Sequence, residues 1–180
     1  MSTVPRVLVT GASSGIGREM ARQLGARGYR VALTGRREQE LREAARQVKA
    51  EGGEALPLIG SVTDREVVAR HYATIRERWG RLDWAILNAG VGDSVDARRF
   101  SAERYHRLFA VNVLGVVNWL EAVLPDMIEA GSGTVAGISS LSPLMRHVIR
   151  HLPAAVYDAL VGRMAGRRPE GATRAGDGRG

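Results

Sequence analysis

Two hydrophobic periods alternate along most of this chain. Val4 to Val9 is a largely apolar, β-branched run that reads as a strand. A helix over Ile16–Arg27 follows, with Ile16, Met20 and Leu24 spaced as one stripe, and Gly28 ends it. Tyr29–Thr34 predicts a second strand, closed by Gly35-Arg36-Arg37. Glu38–Glu51 predicts a charged helix with Leu41, Ala44, Ala45 and Val48 inward, stopped by Gly52-Gly53. Glu54–Ile59 is a short third strand. Thr63-Asp64-Arg65-Glu66 has the form of a capping box with Thr63 as cap, opening a helix with Val68, Tyr72, Ile75 and Trp79 on one face. Leu82–Leu87 is a fourth strand ending in Asn88-Ala89-Gly90, and a loop through Arg99 leads to a long helical region from Ser101 to about Ala130, expected to bend near Pro125. Thr134–Ser139 is the fifth strand.

Strands alternating with helices of this length predict an α/β fold, a Rossmann-like doubly wound parallel sheet of about five strands in the order 3-2-1-4-5. Such sheets bind ligands beyond the carboxyl ends of their strands, where Gly11–Gly17, Arg36, Asn88 and Ser140 all fall. Past Ser142 the pattern changes. Ser142-Pro143 reads as a helix start, and residues 143–165 read as an amphipathic C-terminal helix, restarted at Pro153. Residues 166–180 are rich in Gly, Arg and Ala without periodicity and read as a disordered tail. The expected organisation is therefore a nucleotide-binding domain over 1–142, that helix, and the tail.

The first strand–helix junction carries the densest chemistry: Thr10-Gly11-Ala12-Ser13-Ser14-Gly15-Ile16-Gly17. A turn of this kind aims free backbone N–H groups and the positive helix end at one point, where a phosphate can sit. Gly11 suits the backbone angles of a tight turn, Gly15 leaves no Cβ between chain and pyrophosphate, and Gly17 lets helix and strand approach closely.

Composition and charge narrow the classes of function. The chain has 180 residues and no Cys, which removes disulfides, thiolate metal sites and Cys nucleophiles. His71, His106, His147 and His151 share no metal-ligand spacing with a carboxylate cluster, so no metal is expected. Met1–Arg6 lacks a signal-peptide core and no charge-free apolar run is long enough to span a bilayer, so a soluble, cytoplasmic protein is expected. The net charge is +7, but seven arginines against three carboxylates after Met145 supply four of those charges. With aromatic residues at 5%, no stacking platform for bases is visible, and nucleic acid is not the expected partner. Association of the basic terminal helix with a membrane surface is a minor alternative. The sole lysine is Lys49.

Taken together, Thr10-Gly-x-x-x-Gly-x-Gly17, Asn88-Ala89-Gly90, Asn112 in Val111-Asn112-Val113-Leu114-Gly115, and Ile138-Ser139-Ser140 make residues 4 to 142 resemble the short-chain dehydrogenases/reductases. The resemblance implies a dinucleotide ligand bound by Gly11, Ser13, Ser14, Gly15, Ile16, Gly17, Asn88, Ala89 and Gly90, with Ile16 near the nicotinamide. It implies hydride transfer between nicotinamide and a small carbonyl or secondary alcohol. NAD-binding members usually carry an acidic residue at the end of strand two; here stand Gly35, Arg36 and Arg37, which suit a 2′-phosphate, so NADP is expected rather than NAD. Ser61 stands, before Val62, where the family often has Asp against adenine, and weaker affinity at most is expected.

The same resemblance implies Ser140 and Asn112 as catalytic residues, together with a Tyr and a Lys four residues later that lowers its pKa. The nearest tyrosine is Tyr157, and four residues on stands Val161. Either Tyr157 is that tyrosine, displaced and without its lysine, or an internal deletion has joined a terminal helix to strand five; the second is preferred. It expects an unpaired edge on strand five, a weakened homo-oligomer (the family dimerises through the helix at Ser101–Ala130 and the helix bearing Tyr and Lys), and low stability. Two functions follow: an impaired NADP-dependent oxidoreductase, or an inactive NADP-binding or regulatory fragment that pairs with an intact paralogue.

Overall fold

The computed structural model describes residues 4–92, 98 and 100–138. The chain divides into two units, Met1–Ser139 and Ser140–Gly180, and the described residues belong to the first. The proposed terminal helix and tail lie outside the described residues, as do Ser140 and Tyr157.

Five strands and the helices between them follow in order: β1 (Arg6–Thr10), α1 (Gly15–Ala26), β2 (Arg30–Gly35), α2 (Glu38–Ala50), β3 (Glu54–Ile59), α3 (Arg65–Trp79), β4 (Trp84–Leu87), α4 (Ala102–Phe109), α5 (Gly115–Glu129) and β5 (Thr134–Gly137). The sheet is parallel with order β3-β2-β1-β4-β5, as the alternation of periods predicts. Each step of β1 sends its side chain to the opposite face. Val7 and Val9 pack with α1 and α2 through Ala21, Leu24, Leu41 and Val48, whereas Leu8 packs with α3 and α5 through Val68, Ile75, Trp119 and Val123. Covered on both faces, the central strands can be apolar at every position, which is why β1 and β2 read as continuous runs.

Three local expectations differ from the structure. The cap of α3 is Asp64, whose Oδ1 accepts the Val67 N–H at 3.0 Å; a carboxylate at this helix end also complements the dipole, and Thr63 instead donates its backbone N–H to Ser61 Oγ. Ile16 is not part of the buried stripe: α1 buries Gly17, Ala21, Leu24 and Gly25, and Ile16, in the first turn, is 62% exposed. The long helix runs through Pro125 to Glu129, and its departure from α geometry comes earlier, as a π turn over Ala110–Leu114. The run Ala102–Glu129 is also long and apolar enough to cross a bilayer by length and composition. It is not charge-free, since Glu103, Arg104, Arg107, Glu121, Asp126 and Glu129 lie within it, and one side of α5 (Trp119, Val123, Met127) is core.

Candidate nucleotide-binding site

The carboxyl ends of β1 and β4 meet at one buried hydroxyl. Thr10 Oγ1, on a side chain only 2% exposed, accepts the backbone N–H of Asn88 and of Ala89, each at 2.9 Å. Asn88 returns its side-chain amide to the Thr10 carbonyl at 3.0 Å. The turn after β1 therefore rests directly on the turn after β4. Gly11 has φ +68°, and a Cβ there would lie 2.8 Å from Ala89 Cα, so both conformation and proximity require glycine. A Cβ on Gly17 would lie 2.5 Å from Gly11 O and from Asn88 Nδ2. Gly17 thus lets α1 begin against both turns.

Gly15 differs from its neighbours. Its φ is +56°, yet the space into which a Cβ would project holds no atom within 4 Å. Ser14, the residue capping α1, is exposed and makes no side-chain capping bond, and the first turn contains no acidic residue. The first N–H groups of α1 thus receive no side-chain cap, beside open space.

The end of β2 supplies positive charge to this mouth. Arg37 donates from Nη2 to Ser13 Oγ at 3.2 Å and pairs with Glu40 at 3.5 Å. Arg36 is exposed and makes no ion pair or hydrogen bond among the described residues. The structure thus brings Ser13 and Arg37 into contact, 24 residues apart.

On the far side of β2, the Ser61 hydroxyl is folded into its own turn. It accepts the Thr63 N–H at 3.2 Å and lies 2.8 Å from Thr63 Oγ1. Val62 is buried, and its carbonyl accepts the Asn118 amide at 2.9 Å. His71 stands close by: its Nε2 must donate to the Ile59 carbonyl, 3.2 Å away, and burial pushes the imidazole pKa below its ordinary value.

Asn112, on the π turn, spends its amide on one neighbour. Oδ1 accepts the Val91 N–H at 2.8 Å and Nδ2 donates to the Val91 carbonyl at 2.9 Å. That pair ties the chain just beyond Asn88-Ala89-Gly90 to the long helix. Among the described residues no group of three His, Asp or Glu is placed to hold a metal.

Thr10 and Asn118 have structural parts in this region that their local sequence does not announce. Thr10 could have been found as a hydroxyl ending an apolar strand. Asn118 stands out only as a lone amide between Val117 and Trp119.

Comparison with known proteins agrees with this arrangement. The family model for short chain dehydrogenase matches residues 5–155, extending past Ser142. An uncharacterised oxidoreductase of Myxococcus xanthus is 38% identical over 135 residues, covering 75% of this chain and 53% of that protein. The chain thus spans about half the length of such relatives. Among solved structures, a metagenomic short-chain oxidoreductase in complex with NADP superposes with a TM-score of 0.72 at 36% identity, covering 77% of this chain and 64% of that one. An alcohol dehydrogenase from the archaeon Thermococcus sibiricus, complexed with 5-hydroxy-NADP, gives 0.69 at 32% identity, with 74% and 57% covered. Sheet order, glycine turn and matched span together lead to one conclusion: this chain belongs to the short-chain dehydrogenase family.

Proposed function

We propose that the chain binds NADP across the carboxyl ends of β1, β2 and β4, as an oxidoreductase of the family's carbonyl- and alcohol-directed type. The observation that carries this reading is the α1 entry: uncapped first-turn N–H groups, open space at Gly15 and two arginines at the end of β2. The pyrophosphate would lie against Gly11, Ser13, Ser14, Gly15 and Gly17 with Ile16 near the nicotinamide, the 2′-phosphate against Arg36 and Arg37, and the purine beside Ser61 and Val62. Asn88, Ala89 and Gly90 would form the wall behind the ribose. Bound NADPH would supply the hydride. Relatives solved with NADP or 5-hydroxy-NADP support the same cofactor.

Among the proposed catalytic residues, Asn112 is the one the structure describes, and its side chain is committed to Val91. That side chain holds the loop after β4, and the proposed catalytic parts of Asn112, Ser140 and Tyr157 all rest on the family resemblance. A second reading, cofactor binding without turnover, is favoured by one observation: Val161 stands four residues after Tyr157, and Lys49 is the sole lysine. An unassisted tyrosine titrates near pH 10 and is a poor base at neutrality.

Isothermal titration with NADP and NAD tests the binding reading. NADP should bind at least about tenfold more tightly, and Arg36→Ala/Arg37→Ala should erase that preference. Equal affinity for the two in the unmodified protein would refute it. A reductase assay with NADPH and a generic carbonyl then separates an active enzyme from a binding protein.

A further inference from the structure

We propose that Asn118 is a positioning residue for the purine end of the dinucleotide. The inference rests on the binding reading above and assigns a new part to the long helix. The segment Gly60–Val62 leaves β3 beside β2, where the Gly60 N–H donates to the Gly35 carbonyl at 3.0 Å, one residue before Arg36. It is therefore the stretch of main chain beside the arginines that would read the 2′-phosphate.

Two residues one helical turn apart on α5 seat that segment. A Cβ on Gly115 would come within 2.5 Å of Val62 Cγ2, so the helix backbone lies directly against the Val62 side chain. Asn118 then donates Nδ2 to the Val62 carbonyl at 2.9 Å, across 56 residues of sequence. The Val62 N–H has no partner among the described residues. A main-chain donor left unpaired on a residue only 9% exposed is available to an acceptor on a ligand, provided the segment keeps its place. Ser61 cannot keep it there, because its hydroxyl is engaged within its own turn. Asn118 does, by holding the next carbonyl along.

A separate tie joins the same helices without touching Val62. Arg65, at the start of α3, donates Nε to Glu121 on α5 at 2.7 Å. Cutting that tie loosens the two helices and leaves the Val62 carbonyl bonded, which supplies a control.

The experiment measures the affinity of NADP and of adenosine 2′,5′-bisphosphate, which carries only the purine end, by titration on the full chain. Asn118→Asp is isosteric and sets an acceptor against the Val62 carbonyl; Asn118→Ala removes the donor without that repulsion and serves where the first variant does not fold. Both ligands should weaken by the same factor, about tenfold. Arg65→Ala should lower the melting temperature and leave both affinities within about twofold of the unmodified protein. An Asn118 variant that binds adenosine 2′,5′-bisphosphate as tightly as the unmodified protein overturns the proposal. So does an Arg65→Ala loss as large as the Asn118 loss. If the unmodified chain binds NADP yet Asn118 proves silent, the cofactor reading survives alone; if it binds neither ligand, both fall.

Discussion

Gly17 shows how little room the candidate nucleotide site leaves at the scale of single residues. Alanine there would bring a methyl group to 2.5 Å from a carbonyl oxygen and from an amide nitrogen, neither of which can move without disturbing the turn it belongs to. Gly17→Ala should cost roughly 1–3 kcal/mol of stability. It should also abolish NADP binding, measured by thermal unfolding with and without cofactor: the melting temperature falls and cofactor no longer raises it. The glycine spacing made these positions legible, because each glycine answers a steric demand that any larger residue would violate. Ser13 with Arg37 was legible in part. Charge at the end of β2 announced the arginine, but only the fold shows its guanidinium resting on the Ser13 hydroxyl. Asn118 was invisible, since nothing local to a helix tells which distant carbonyl an amide will meet.

Between elements, the amino-terminal end of the sheet is held by charge. Asp83, just before β4, accepts the Arg6 backbone N–H at 2.9 Å and the Arg6 guanidinium at two points, each 2.8 Å away. Arg6 also reaches the Trp79 carbonyl at the end of α3. The guanidinium bonds hold the Asp83 pKa below its ordinary value, against an opposing effect of burial. A carboxylate with a depressed folded-state pKa stabilises the fold at pH above its unfolded value, about 4, and that contribution disappears as pH falls through the folded value. Unfolding titrations should show stability dropping below about pH 4, with Asp83→Asn less stable at neutrality and flatter over that acid limb. Element boundaries were readable from the sequence where a period changed or a glycine stopped a helix. The π turn was not, because Ala110–Leu114 carries no proline or other local signal that marks where a helix widens, and Asn112 meets Val91 only across the fold.

Taken whole, the molecule owes its parallel sheet to a pattern any reader can find: apolar strands covered on both sides by amphipathic helices. The strand order is the one expected of a doubly wound sheet built from that alternation. What could not be read was the contact between the two halves, which depends on Thr10 meeting Asn88 and Ala89 across β1 and β4. Hydrogen exchange should display it. The amides of Asn88 and Ala89, although in a loop, should exchange as slowly as the sheet core. Those at Gly15 and Ile16 should exchange orders of magnitude faster, and slow when NADP is added. Slow exchange at Gly15 in the free protein would contradict the open α1 entry.

The Thr10 clasp also dictates when in a polypeptide's life the pocket comes into being. As the chain leaves the ribosome, the glycine loop emerges early, but its rear support is 78 residues away and arrives only with Asn88. A nucleotide encountered before then meets half a cradle. If the chain binds NADP as proposed, capture is a late event of synthesis, and a cell rich in the cofactor would favour the completed sheet over every shorter intermediate.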